Sequence, residues 1–381
     1  MTNKIKTPFY VSIKFVFWIY LIVSVTVSIH RYFLGEDHYG NYLIFKNSFY
    51  HLLSGSDLYK SYPELNLDLF KYSPTFAVLF SPFSILPDSV GLILWNVFNA
   101  MMLFFAIKSI NIEEKKIIFI LWFILIELIT SLQNCQSNAL TASLIIFTFF
   151  LLDKKKYLIA GVCVAAGFYI KLFGVLGAVL WFMYPGKTKF FIAVLSCLVI
   201  LFISPLIFVS PGELTVIYKS WLAMLSTDVS HNLNHSVISI IKNWFGIEVN
   251  KIGIQLTGVV LLLIPLLKWK FFQEKFFRLL FLSSILIWAV IFNHKAESAT
   301  YIIAVGGCAI WFFNSERKKM NIFLIALLFL LTCLSPTDLF PKQLRDNFIV
   351  PYSLKALPCI LIWIKIQFEL FLFHDRTETV N

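Results

Sequence analysis

Residues 157–184 read YLIAGVCVAAGFYIKLFGVLGAVLWFMY, an apolar run broken by one charge, Lys171, near its middle. The run is short for two membrane spans. Taken as one span, however, it would place every later basic connector on the opposite side from the earlier ones. The pattern therefore predicts a shallow helical hairpin, with arms 157–170 and 172–184 and Lys171 near the outer face. That reading fixes the topology of everything around it.

Working outward, the other apolar blocks fall at 9–33, 89–107, 117–132, 138–152, 190–209, 252–267, 279–293, 298–313, 320–336 and 352–373. Blocks near 20 apolar residues match the hydrocarbon thickness of a bilayer. With the two hairpin arms they predict an all-α membrane protein of about twelve transmembrane helices. With the N-terminus inside, 18 of the 32 Lys and Arg sit in short inner connectors and tails, among them Lys154 to Lys156, Lys268, Lys270, Lys275 and Arg317 to Lys319. This is the distribution that keeps basic residues cytoplasmic. Thr75 to Leu86, bracketed by Pro74 and Pro87, is too short to span, at about 18 Å for a rise of about 1.5 Å per residue. It reads as a re-entrant or interfacial segment. The chain is then one polytopic domain over residues 1–381, with large outer loops at 34–88 and 210–250.

Composition agrees. Of 381 residues, 59% are hydrophobic and 14% charged, with mean hydropathy +0.80; a soluble domain carries about 25% charged residues. The first block follows Lys4 and Lys6, lacks a small-residue cleavage site and reads as an uncleaved anchor. A net charge of +11 would suggest nucleic acid in a soluble protein, but topology accounts for it here. Six cysteines in or beside apolar blocks, without a CxxC pair, argue against a disulfide framework or a zinc site. No GxxxxGK[ST] or GxGxxG motif offers a nucleotide site, so no cofactor is expected and any sugar donor is lipid-borne.

Several polar clusters stand out. Asn41 to Leu53 has apolar positions at helical spacing and reads as an amphipathic interfacial helix, ended by Gly55-Ser56-Asp57. Around it gather Glu36, Asp37, Asp57, Glu64 and Asp68, followed by Lys71-Tyr72-Ser73-Pro74. Acid and base together suit a hydroxyl nucleophile and a phosphate leaving group; a plain membrane anchor is the simpler account. Gln133-Asn134-Cys135-Gln136-Ser137-Asn138 either bonds between helices or lines a polar cavity. Glu127, inside a span, is either a protonated structural group or part of that cavity. His231-Asn232-Leu233-Asn234-His235-Ser236 opens a helix and reads as capping rather than metal binding. Lys295 and Glu297 either pair or meet a lipid headgroup. Lys171 either snorkels or holds a phosphate.

Taken together these residues resemble glycosyltransferase family 87, multi-spanning enzymes of the GT-C superfamily that use polyprenyl-phosphate sugars. The resemblance rests on Asn41-Tyr42-Leu43-Ile44-Phe45, Gly55-Ser56-Asp57-Leu58-Tyr59, Tyr72-Ser73-Pro74, Leu86-Pro87, Trp95, Gln136-Ser137-Asn138, Ala160-Gly161, Gly167, Lys171 and Asn234-His235-Ser236, in that order along most of the chain. It implies a GT-C-like fold in a bacterial inner membrane. It also implies transfer of a mannose-like hexose from a polyprenyl-phosphate donor to a lipid or glycan acceptor on the extracytoplasmic face. Lys171, with Lys71, would neutralise the phosphate; Asn41, Tyr72, Gln136, Asn138, Asn234, His235 and Glu297 are the remaining candidate substrate contacts. One position departs from the family: Asn41 stands where family members open the loop with an aspartate, and an amide cannot take up a proton. The general base then passes to a neighbour, Asp37 first, then Glu36 or Asp68. A lipid-linked saccharide flippase and a non-catalytic glycolipid-binding relative are the rival expectations.

Overall fold

A computed structural model describes residues 10, 12–62, 68–227 and 235–374. Among them no β-strand occurs. The helices are α1 (Ile13–Leu34), α2 (Gly40–Leu53), α3 (Pro74–Ser84), α4 (Asp88–Ser109), α5 (Glu114–Gln133), α6 (Asn138–Asp153), α7 (Tyr157–Ile170), α8 (Lys187–Ile203), α9 (Pro211–Thr227) and α10 (Val237–Phe245). They continue with α11 (Lys251–Leu263), α12 (Lys275–Ile291), α13 (Tyr301–Asn314), α14 (Lys319–Leu328), the short α15 (Lys342–Leu344) and α16 (Leu357–Phe371). Five are long and apolar enough to cross a bilayer: α1, α4, α5, and α8 and α11 with their 3-10 extensions to Ile207 and Phe271.

The way these helices bury their surfaces is that of a membrane protein. On α1 the inward stripe is Val16, Tyr20, Ser24 and Ser28, while Trp18, Ile22, Ile29 and Phe33 are exposed. A face that is apolar where it is exposed and partly polar where it is buried suits lipid, not water. Inside, polar groups find partners on neighbouring helices. The Tyr20 hydroxyl donates to the Leu121 carbonyl at 2.8 Å. Asn96 donates to Ser28 Oγ and to the Leu132 carbonyl, and the Trp95 indole donates to the Cys135 carbonyl at 2.8 Å. In hydrocarbon each such group left unpaired costs several kcal/mol.

The first loop is docked rather than free. Tyr42, Phe45, Ser48, Phe49 and Leu52 bury one face of α2, and Phe45 packs edge-on against Tyr72, Phe76 and Phe80. The hydroxyls of Tyr42 and Tyr50 donate to the Phe83 and Ser84 carbonyls. They thus satisfy acceptors that the C-terminus of α3 leaves without intrahelical donors. Ser73 caps α3 by accepting from the Phe76 amide, with Pro74 at the first helical position. Its hydroxyl also donates to the Tyr169 carbonyl at 2.6 Å, tying the Lys71-Tyr72 stretch to the end of α7.

The hairpin forms, but its second arm, Leu172–Met183, is a 3-10 helix rather than an α-helix. A buried stripe at every third residue, Gly174, Gly177, Leu180 and Met183, matches the three-residue turn of that geometry. Lys171 is extended between the arms; its amide bonds the Gly167 carbonyl, and its carbonyl accepts from Gly174 N–H. The arms approach so closely there that a Cβ on Gly174 would collide with the Gly167 carbonyl group. Only glycine fits at that point, and the fit presents Lys171 at the apex.

Candidate active site

Between the first loop, the hairpin apex, α9, α11 and α12 lies a cavity of about 1420 Å³. Its lining has two characters. Polar residues, among them Glu36, Asp37, Asn41, Asp68, Lys71, Tyr72, Gln136, Lys171 and Glu297, line it together with apolar ones, among them Phe168, Leu176, Trp221, Leu256, Val259 and Trp288.

Lys171 has neighbours of both kinds. Its ammonium donates to Asn138 Oδ1 at 2.6 Å and Gln136 Oε1 at 3.2 Å, and lies 5.8 Å from the ring centres of both Tyr72 and Phe173. Its hydrogen-bonding oxygens are neutral amides. Burial pulls its pKa down to about 8, and the Glu297 carboxylate opposes that shift. The Gln136 amide joins the two charges: its Nε2 donates to Glu297 Oε2 at 2.9 Å.

Asn138 is fully buried and both of its amide atoms are engaged: Nδ2 donates to Gln136 Oε1 and the Ala299 carbonyl, and Oδ1 accepts from Lys171. It is one wall behind the cavity lining. The turn that sets these residues is held in an unusual shape, with Cys135 at φ 52, a left-handed conformation uncommon outside glycine. The Trp95 indole pins the Cys135 carbonyl.

The first-loop acids differ among themselves. Asp68 bonds the Leu69 amide and pairs with Lys71 at 3.3 Å. Glu36 and Asp37 lie in an exposed 3-10 turn just before α2. Asn41 Nδ2 donates to the Asn134 carbonyl at 2.9 Å, so its amide is a structural tie to the polar turn. His235 is not part of the lining. Its amide donates to the Ala296 carbonyl, and its own carbonyl accepts from the Tyr301 hydroxyl. Burial, and then the Lys355 ammonium, push its imidazole down to about 4, so it is neutral near pH 7. Asn234, like His231, Asn232 and Glu64, lies outside the described residues.

Two features escaped the sequence reading. Arg31, His38, Lys46 and His294 also line the cavity; Arg31 Nη1 meets His38 Nδ1 at 3.2 Å, and Lys46 pairs with Asp88. Glu127 does not reach the cavity. It is held at 2.8 Å by Lys355, with both side chains buried, and Lys355 also donates to the Thr332 carbonyl.

The model of glycosyltransferase family 87 matches residues 70–336. The chain belongs to that family. The match takes in Lys71, Tyr72, Gln136, Asn138, Lys171, His235 and Glu297, and begins after Asp37, Asn41 and Asp68. No curated protein matches the chain. Family 87 membership makes this a protein of a membrane glycosyltransferase family, and the cavity is where such chemistry has room.

Proposed function

We propose that this family 87 protein transfers a mannose-like hexose from a polyprenyl-phosphate donor to a lipid or glycan acceptor on the extracytoplasmic face of the inner membrane. In this reading about twelve segments span the bilayer, the N-terminus is cytoplasmic, and the cavity opens outward. The observation that carries it is Lys171, an ammonium bonded to neutral oxygens in a cavity lined by both polar and apolar residues. A lipid-linked phosphate needs that pairing: a cation for the head and an apolar groove for the chain.

The acceptor hydroxyl oxygen attacks the anomeric carbon as the bond from that carbon to the phosphate oxygen breaks. The electron pair leaves with the polyprenyl phosphate, which Lys171 and Lys71 neutralise, and the hydroxyl proton passes to a carboxylate, with inversion at the anomeric carbon. Asp37 is the first candidate for that base because Asp68 already serves Lys71 and Asn41 has no proton-accepting carboxylate. Glu36 follows it.

The test combines purified protein, polyprenyl-phosphate [14C]mannose and a membrane extract. Transfer of label supports the enzyme; movement of the intact donor across a vesicle without transfer supports a flippase. General-base assistance is worth about 10²–10⁴-fold, so Asp37→Asn should slow transfer by about that factor while donor binding persists. A fully active variant would remove Asp37 from the role. The tie between Asn41 and Asn134 favours one rival, a glycolipid-binding relative without catalysis. Binding without transfer in the unaltered protein is its signature.

A further inference from the structure

We infer that Glu297 reads the charge of the transferred sugar, admitting a neutral hexose and rejecting an anionic one such as a hexuronate. The inference rests on the reading of Lys171 as the phosphate site and names the class of sugar placed beside it.

The geometry runs through a single amide. Lys171 holds Gln136 Oε1 at 3.2 Å, and Gln136 Nε2 holds Glu297 Oε2 at 2.9 Å. A phosphate on Lys171 therefore has a carboxylate one side chain away in the same cavity. Glu297 is exposed and lines the hollow, so it can meet a ligand in the space beside Lys171. Its backbone is braced from both sides: the Ala296 carbonyl by the His235 amide, and the Ala299 carbonyl by Asn138. Such bracing holds a carboxylate in place against a sugar, as a pre-organised site requires.

A carboxylate is an acceptor only. It accepts hydrogen bonds from sugar hydroxyls and repels a second carboxylate. Gln136 stands between the two charges, so Lys171 and Glu297 do not pair directly.

Binding separates this from turnover. Wild type, Glu297→Gln and Glu297→Asp, each reconstituted in nanodiscs, are titrated with polyprenyl phosphate, its mannosyl ester and its glucuronosyl ester. Wild type should bind the mannosyl ester at least tenfold more tightly than the glucuronosyl ester. In Glu297→Gln, which can still accept from Gln136 through its amide oxygen, the ratio should fall to about one. Glu297→Asp should restore part of it. A single symmetric peak on size-exclusion chromatography and a denaturation midpoint close to wild type show that each variant is folded. An unchanged ratio in Glu297→Gln overturns the inference, as does a wild type indifferent to the sugar. Failure of the glycosyltransferase reading would show separately, as absence of label transfer with this selectivity intact.

Discussion

At the residue scale the decisive group is Lys171, and its environment sets a pH dependence. Its ammonium is the form that pairs with phosphate, and burial has brought its pKa down to about 8. The charged form is therefore present below that value and lost as pH rises through it. For the free protein, kcat/KM for donor should be level below about pH 8 and fall roughly tenfold per unit above it. Lys171→Met should lower kcat/KM by about one to two orders of magnitude, the range expected when a charge-assisted contact worth roughly 1.5–3 kcal/mol is lost, and should abolish the alkaline limb. A variant that kept the same pH profile would show that another group titrates. The sequence placed Lys171 at the hairpin apex from charge distribution alone. It gave no sign that Gln136 would bridge Lys171 to Glu297, because that contact joins residues 161 positions apart; local spacing carries no information at that range.

At the scale of elements, helix positions were legible wherever an apolar block began or ended in charge, proline or glycine. The 3-10 character of Leu172–Met183 was less so. Its signal, glycines at 174 and 177 on a period of three, is masked by a segment apolar on every side. The pair of Glu127 on α5 and Lys355 just before α16 was hidden for another reason: Lys355 sits inside a block that otherwise reads as a plain span. This pair makes its own prediction. Removing one partner leaves a buried charge, a loss of about 3–5 kcal/mol, so Glu127→Leu or Lys355→Met alone should sharply lower the denaturation midpoint in detergent. The double variant should recover most of it, since both charges then disappear together. Additive losses would mean that the two residues do not act as a pair.

At the scale of the whole molecule, orientation is the premise that unites cavity and chemistry. All six cysteines are buried, so single cysteines introduced at the surface report against a quiet background. A cysteine replacing Asp37 should react with an impermeant maleimide from outside intact cells or right-side-out vesicles. One replacing Lys155, in the basic connector after α6, should react only after the membrane is opened. The reverse pattern would remove the proposed site from the outer face.

Polar and apolar residues line one continuous hollow, and on the proposed reaction this governs what happens after transfer. The sugar-bearing carrier is a phosphodiester with a single negative charge. The discharged carrier is a monoester and bears about one and a half to two, as phosphate monoesters do near neutral pH. Lys171 therefore grips the spent lipid harder than the loaded one, in the same berth. On that reaction the empty carrier is expected to leave more slowly than the loaded one.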